Sequence, residues 1–149
     1  MDNLPNQTTK ALLLPKLVRY WAPFLLWASV IFLFSTMPTT STSEVHWEDF
    51  IIKKSAHMIE YGVFAMLLYR ALKEFGYPKT RLFITVLLVA VAYGASDELH
   101  QSFTPGREPR LRDVVIDTIG ATFSLWIITR WLPTAPKKLQ KWARDLQLI

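Results

Sequence analysis

The sequence contains no cysteine, which excludes disulfides, thiolate metal sites and cysteine nucleophiles. Any catalysis must therefore use histidine, carboxylate or hydroxyl groups, or a metal. No internal repeat is visible. The start of the chain has neither a basic segment running directly into an apolar one nor a small-residue cleavage site, so we expect no cleaved signal peptide.

The hydrophobic content of 51% and the aromatic content of 13% exceed those of an ordinary soluble domain of 149 residues. The net charge of +5 does not come from one basic stripe, because lysines and arginines flank the apolar segments. This distribution favours membrane lipids as partners and argues against nucleic acid.

Four apolar segments are long enough to cross about 30 Å of hydrocarbon at about 1.5 Å per residue. The sequence therefore predicts a single all-α membrane domain over 1–149, with four transmembrane helices at about 20–37, 55–72, 82–100 and 114–132. A soluble helical bundle is the weaker alternative, because stretches such as FITVLLVAVAYGA have no polar face.

The distribution of lysine and arginine predicts that both termini are cytoplasmic. Twelve of the 17 basic residues precede the first helix, join the second to the third, or follow the fourth, and five lie on the other side. In the tail, Leu139, Trp142, Leu146 and Ile149 recur every three or four residues between basic residues. This spacing predicts a short interfacial amphipathic helix.

Ionisable residues within the apolar segments concentrate at the extracytoplasmic ends of the second, third and fourth helices. Such groups need a partner or a function, because a buried charge is costly in a membrane. Counted from the outer edge, Glu60, Asp97 and Asp117 reach similar depths, so we expect them to converge on one cavity. The candidate catalytic residues are His57, Glu60, Asp97, His100 and Asp117.

A structural alternative stays open for each of these residues. An interfacial histidine is often a satisfied polar side chain, and an aspartate at the start of the fourth helix can stabilise that helix through its dipole. A second set of side chains can bind an anionic or polar substrate, the arginines because their guanidinium groups bind phosphate or carboxylate in a bidentate manner. This set contains Lys54, Gln101, Arg107, Arg112 and Asp113.

The segment SDELHQSFTPGREPRLRDVVIDTIGA at 96–121 resembles the VanZ-like family of small bacterial membrane proteins. KKSAHMIEYGVFAMLLYRAL at 53–72 and FLFSTMP at the end of the first helix extend the resemblance over most of the chain between Phe32 and Ala121. Many relatives have asparagine where this chain has Asp117. The family is named after a member linked to low-level resistance to the glycopeptide teicoplanin, so the resemblance implies envelope biology at the bacterial cytoplasmic membrane.

Three functions remain open at this stage. An enzyme would act on a lipid-linked or phosphorylated envelope substrate, with His57 or His100 in acid–base or nucleophilic chemistry and Asp97 orienting an imidazole. A divalent metal held by some of the same residues is a less favoured version, and no cofactor is identified. A non-catalytic module would bind a lipid head group, a glycopeptide or a protein partner. A purely structural ion network is the third alternative, and the small-residue helix faces leave a homo-oligomer open.

Overall fold

Five α-helices form the described part of a computed structural model, which covers residues 7–37, 46–104 and 110–149. The helices are α1 (Gln7–Ser35), α2 (His46–Lys73), α3 (Lys79–Gln101), α4 (Leu111–Trp126) and α5 (Lys137–Asp145). A π-helical turn (Ile127–Trp131) and a 3-10 turn (Leu132–Thr134) connect α4 to α5. Since these ranges contain no strand, the all-α prediction is confirmed for the described residues.

Helix α2 begins at His46, well before the predicted start near residue 55. The residues from His46 to the predicted start of this helix are therefore helical as well. Helix α4 begins at Leu111 and continues through the π-helical turn to Trp131. Pro133 lies in the 3-10 turn that follows. Because proline has no backbone N–H to donate, the continuous helix ends before it.

Helix α2 lies at the centre of the bundle and packs most extensively against α4. Its largest fully buried side chains are Tyr61 and Phe64, which share the core with Val86 of α3 and Leu125 of α4. The ring of Phe64 stacks on Tyr93 with centroids 4.8 Å apart. These contacts hold α2, α3 and α4 together beneath the polar residues at one end.

The approach of α4 to α2 depends on Gly120. A Cβ atom at this position would lie 2.8 Å from the backbone Cα of Met58 and would also meet the Met58 carbonyl. Backbone atoms cannot move aside as a flexible side chain can, so only glycine permits this contact. The contact fixes α4 against α2 at Met58, the residue that follows His57.

Within the described ranges, two helices are long and apolar enough to cross a membrane, over Leu17–Ser35 and Lys79–Gln101. Only 11% of the first window and 33% of the second is buried inside the bundle. Large apolar side chains such as Leu26 and Leu88 consequently face outward. Helix α2 carries more charge than these two, and α4 itself has 16 residues before the π-helical turn.

Helix α5 is fixed to the end of the bundle where α2 ends and α3 begins. The Gln140 amide donates to the carbonyls of Pro133 and Ala135, at 3.0 and 2.9 Å. Gln147 adopts a left-handed φ of 62°, and the Leu148 N–H then donates back to the Ala143 carbonyl at 2.8 Å. This C-terminal capping arrangement turns Leu148 into the core.

The helical prediction for the tail is thus confirmed, and the side of the tail that packs on the bundle is different from the predicted interfacial face. Ala143 and Leu148 are buried, whereas Trp142 is exposed. Trp142 therefore belongs to the outward face of α5.

Candidate functional site

A histidine and an aspartate form a partly buried polar pair between α2 and α4. The imidazole Nδ1 of His57 lies 3.1 Å from Oδ1 of Asp117, and their side chains are 20% and 2% exposed. A carboxylate on Nδ1 holds the ring and leaves Nε2 as the free nitrogen, the arrangement of a general base. Among the described residues, Nε2 has no hydrogen-bond partner.

One turn before Asp117, Asp113 forms a second link between the same two helices. Its Oδ2 lies 2.6 Å from the Lys54 ammonium, and Arg112 Nε lies 3.7 Å from its Oδ1. The Arg112 guanidinium also lies 4.8 Å from the centroid of the Phe50 ring. Two cations thus border the site, and an incoming anion would compete with Asp113 for them.

Helix α3 contributes two buried carboxylates in its last turn. Asp97 Oδ2 accepts a hydrogen bond of 2.8 Å from the Gln101 amide, and Glu98 Oε2 accepts one of 2.7 Å from the Arg110 backbone N–H. Their second oxygens, Asp97 Oδ1 and Glu98 Oε1, are buried and have no partner among the described residues. Because the helix dipole disfavours negative charge at a C-terminus, these oxygens are suited to a cation or a hydrogen-bond donor.

The carboxylates of Asp97, Glu98, Asp113 and Asp117 lie close enough for charge to act between them. We call this end of the bundle the acidic end. The hydroxyl of Tyr61 also lies there, fully buried and without a partner in the described residues, within electrostatic range of Asp97, Asp117 and Glu60. The position that a Cβ on Gly94 would occupy is 3.4 Å from Asp117 Oδ2 and 3.6 Å from this hydroxyl.

A groove of about 330 Å³ opens beside Asp97, between α1 and α3. Its walls are largely aromatic and aliphatic, with Phe32, Tyr93, Leu99 and Phe103 among the lining residues, and Asp97 and His100 also line it. The His100 ring lies against Phe32 with centroids 4.4 Å apart. The groove thus places a buried carboxylate beside apolar walls.

The structure brings together most, but not all, of the residues selected from the sequence. His57 pairs with Asp117, Lys54 with Asp113 and Asp97 with Gln101, and Glu60 lies near His57 and Tyr61. Asp97, which the enzyme hypothesis has orienting an imidazole, binds the Gln101 amide through Oδ2, whereas His100 packs on Phe32. Arg107 lies outside the described residues.

No group of three or more side chains in the described ranges is arranged to hold a metal ion. The carboxylates are instead divided between an imidazole, an ammonium, an amide and a backbone N–H. The arrangement therefore supports proton transfer and hydrogen bonding.

Sequence reasoning missed Glu98 and Tyr61. Glu98 follows Asp97 directly and faces the Arg110 backbone, so helical spacing gives no signal for it. Tyr61 lies four residues after His57, so the helical spacing places it on the same face, but it was not included among the candidate site residues. The one available signal for Glu98 was an acidic residue in the last turn of a helix, where the dipole is unfavourable.

Comparison with known proteins gave one match. The model of a protein family described as VanZ/LLP1 matches residues 15–132, which contain all of α3 and α4 and the whole acidic end. No curated protein and no solved structure matches the chain.

Proposed function

Since the chain belongs to the VanZ/LLP1 family, we propose that it is a multi-pass protein of the bacterial cytoplasmic membrane, with four spanning helices and both termini in the cytoplasm. The outward apolar faces of α1 and α3 support this arrangement, because a soluble bundle would bury them. The helical path from Leu111 to Trp131 supports the fourth span, since its 21 residues extend about 30 Å. The acidic end then faces the outside.

Helix α2 supports the second span through the placement of its polar groups. The His57 and Lys54 side chains bind residues of α4, and the backbone carbonyl of Glu60 accepts a hydrogen bond from the Trp27 indole of α1 at 2.9 Å. Polar groups of a spanning helix that bind neighbouring helices avoid contact with hydrocarbon. The twelve basic residues expected on the cytoplasmic side, against five outside, support the orientation.

At the acidic end we propose acid–base catalysis on the head group of a lipid-linked or phosphorylated envelope substrate. The observation that carries this proposal is the buried His57–Asp117 pair. His57 Nε2 takes a proton from the attacking hydroxyl or water and returns it to the leaving group, while Asp117 stabilises the imidazolium. The buried Tyr61 hydroxyl has no partner among the described residues and is a second polar group at this end of the bundle.

The groove between α1 and α3, which is lined by Asp97 but not by His57 or Asp117, is the proposed binding place for the lipid part of this substrate. Its apolar walls suit the first part of a lipid chain, and Asp97 Oδ1 accepts a hydroxyl or ammonium group of the head group. Lys54 and Arg112 are the cations that would attract a phosphate, together with Arg107. Altered supply of such a lipid would change wall assembly and hence glycopeptide sensitivity.

A second candidate is a binding module that captures the same head group without turnover. Asp97 favours the binding module, because it lines the aromatic groove and its Oδ1 has no partner among the described residues. A hydrogen bond to this carboxylate would hold a ligand without any proton transfer. The two functions differ in their dependence on His57. Catalysis needs Nε2 of the imidazole, whereas capture needs only Asp97 and the groove.

The deciding experiment incubates purified protein with a radiolabelled bacterial lipid extract and measures both conversion and retention of lipid. His57→Asn keeps a donor where Nδ1 stands and removes Nε2, so it preserves the bond to Asp117 while abolishing acid–base chemistry. We expect conversion by the wild type, none by His57→Asn, and unchanged conversion by Thr122→Val, a control on α4 whose hydroxyl binds its own helix.

The outcomes separate the two candidates. Retention without conversion, lost in Asp97→Asn but not in His57→Asn, would establish the binding module. Conversion that persists in His57→Asn, or neither conversion nor retention by the wild type, would show that both proposals for the acidic end are wrong.

A further inference from the structure

A second cavity lies at the opposite end of the bundle, where α2 ends, α3 begins and α5 packs. Its volume is about 330 Å³, and three of its lining side chains are basic: Lys73 of α2, Lys79 of α3 and Arg144 of α5. We call it the basic cavity. None of the polar residues of the acidic end lines it, so it is a separate site.

The basic side chains of this cavity lack acidic partners. Within the described ranges, none of Lys73, Lys79 and Arg144 forms an ion pair, and Arg144 donates only to the Gln140 amide oxygen at 3.3 Å. Burial and the neighbouring Lys79 charge lower the pKa of the Lys73 ammonium, and Glu74 opposes them more weakly. Three cations that line one cavity and form no ion pair among the described residues make the cavity attractive to an anion.

The walls of the basic cavity are apolar and firmly held. Tyr69, Ile128 and Leu148 line it and are themselves buried in the core. Ile128 belongs to the π-helical turn, and Leu148 is held by the C-terminal capping bond to Ala143. Local π-helical turns are frequent at functional sites. The cavity thus joins a cationic rim to a preformed apolar wall.

We propose that the basic cavity binds the phosphodiester head group of an anionic phospholipid. The three cations match its negative charge, and the apolar wall matches the glycerol and the first methylenes of the acyl chains. A free phosphate ion would use the cations but leave the wall uncovered. Basic pockets at the cytoplasmic ends of spanning helices are suited to such lipids, and this site goes beyond the function proposed for the acidic end.

The test titrates purified protein in a neutral detergent with phosphatidylglycerol, phosphatidylcholine or inorganic phosphate, and follows melting temperature and lipid retention by native mass spectrometry. We expect phosphatidylglycerol alone to be retained and to raise the melting temperature. The double variant Lys73→Gln/Arg144→Gln should weaken retention by roughly 30-fold, because two cationic contacts are lost.

The matched control is Lys137→Gln/Lys141→Gln, which removes the same net charge from exposed positions of α5 outside the cavity. It should retain phosphatidylglycerol as the wild type does. The proposal would be overturned if both double variants lost phosphatidylglycerol retention equally. Equal retention of phosphatidylcholine, or an equal response to inorganic phosphate, would also overturn it. His57→Asn should leave this lipid response unchanged, so failure at one site is distinguishable from failure at the other.

Discussion

Nδ1 of His57 lies 3.1 Å from Oδ1 of Asp117, and this contact joins α2 to α4 across the most extensive helix interface of the bundle. The two side chains differ in their exposure to solvent. The Asp117 side chain is 2% exposed, whereas that of His57 is 20% exposed. Loss of either partner therefore leaves a different group behind.

His57→Ala should destabilise the protein more than Asp117→Ala does. Without His57 a deeply buried carboxylate loses its partner, which costs about 3 kcal/mol of unfolding free energy. Without Asp117 a neutral, partly exposed imidazole remains, and the loss should be about 1 kcal/mol. Denaturant unfolding in detergent micelles measures both values. Equal losses would show that the carboxylate is protonated or has another partner.

Gly120→Ala should lower the free energy of unfolding by about 1 to 3 kcal/mol, the usual range for overpacking. The added methyl would meet backbone atoms of Met58, which cannot yield without moving α2. Gly62→Ala is the matched control, because its Cβ would lie 3.5 Å from the nearest atom, an ordinary contact. Melting in detergent compares the two variants. A wild-type melting temperature for Gly120→Ala would mean that α2 and α4 are further apart.

Tyr61→Phe should not reduce stability and should raise the free energy of unfolding by up to about 1 kcal/mol, because it removes a buried hydroxyl that has no partner in the described residues. If that hydroxyl donates to substrate, the same variant should reduce turnover or lipid retention. Melting and the radiolabelled-lipid assay give the two readouts. A clear loss of stability would reveal a hydrogen bond to the hydroxyl within the folded protein.

Cysteine labelling should report the orientation of the bundle, and the absence of native cysteine makes each single replacement unambiguous. Arg110→Cys should react with an impermeant thiol reagent on intact cells, whereas Lys138→Cys should react only after permeabilisation. Both positions are exposed. Labelling of Lys138→Cys from outside would reverse the proposed topology.

The apolar segments were sufficient to predict the helices, but not where each one begins. Helix α2 starts at His46, although charged residues interrupt the apolar pattern in its first turns. The π-helical turn carries no residue type that distinguishes it from α-helix. In α5, spacing predicted an interfacial helix, but not that the left-handed Gln147 turns Leu148 into the core.

For the site, sequence spacing identified side chains on inward faces but not their partners. The His57–Asp117 pair depends on the rotation of α4 against α2, which the close contact of Gly120 with Met58 determines. Asp97 could face either His100 or Gln101, and the four-residue spacing to Gln101 gave the better hydrogen bond. Such choices depend on side-chain rotamers and on packing between helices, which one sequence does not specify.

The groove between α1 and α3 is bordered by side chains that face away from the bundle, with Leu99 63% and Phe103 78% exposed. In the proposed membrane arrangement these side chains contact surrounding lipid, so the groove opens sideways into the bilayer. A lipid substrate would then arrive by two-dimensional diffusion without leaving the membrane. The occupancy of the groove would follow the mole fraction of this lipid in the membrane or micelle. Adding inert detergent at a constant bulk concentration of the lipid would therefore empty the groove.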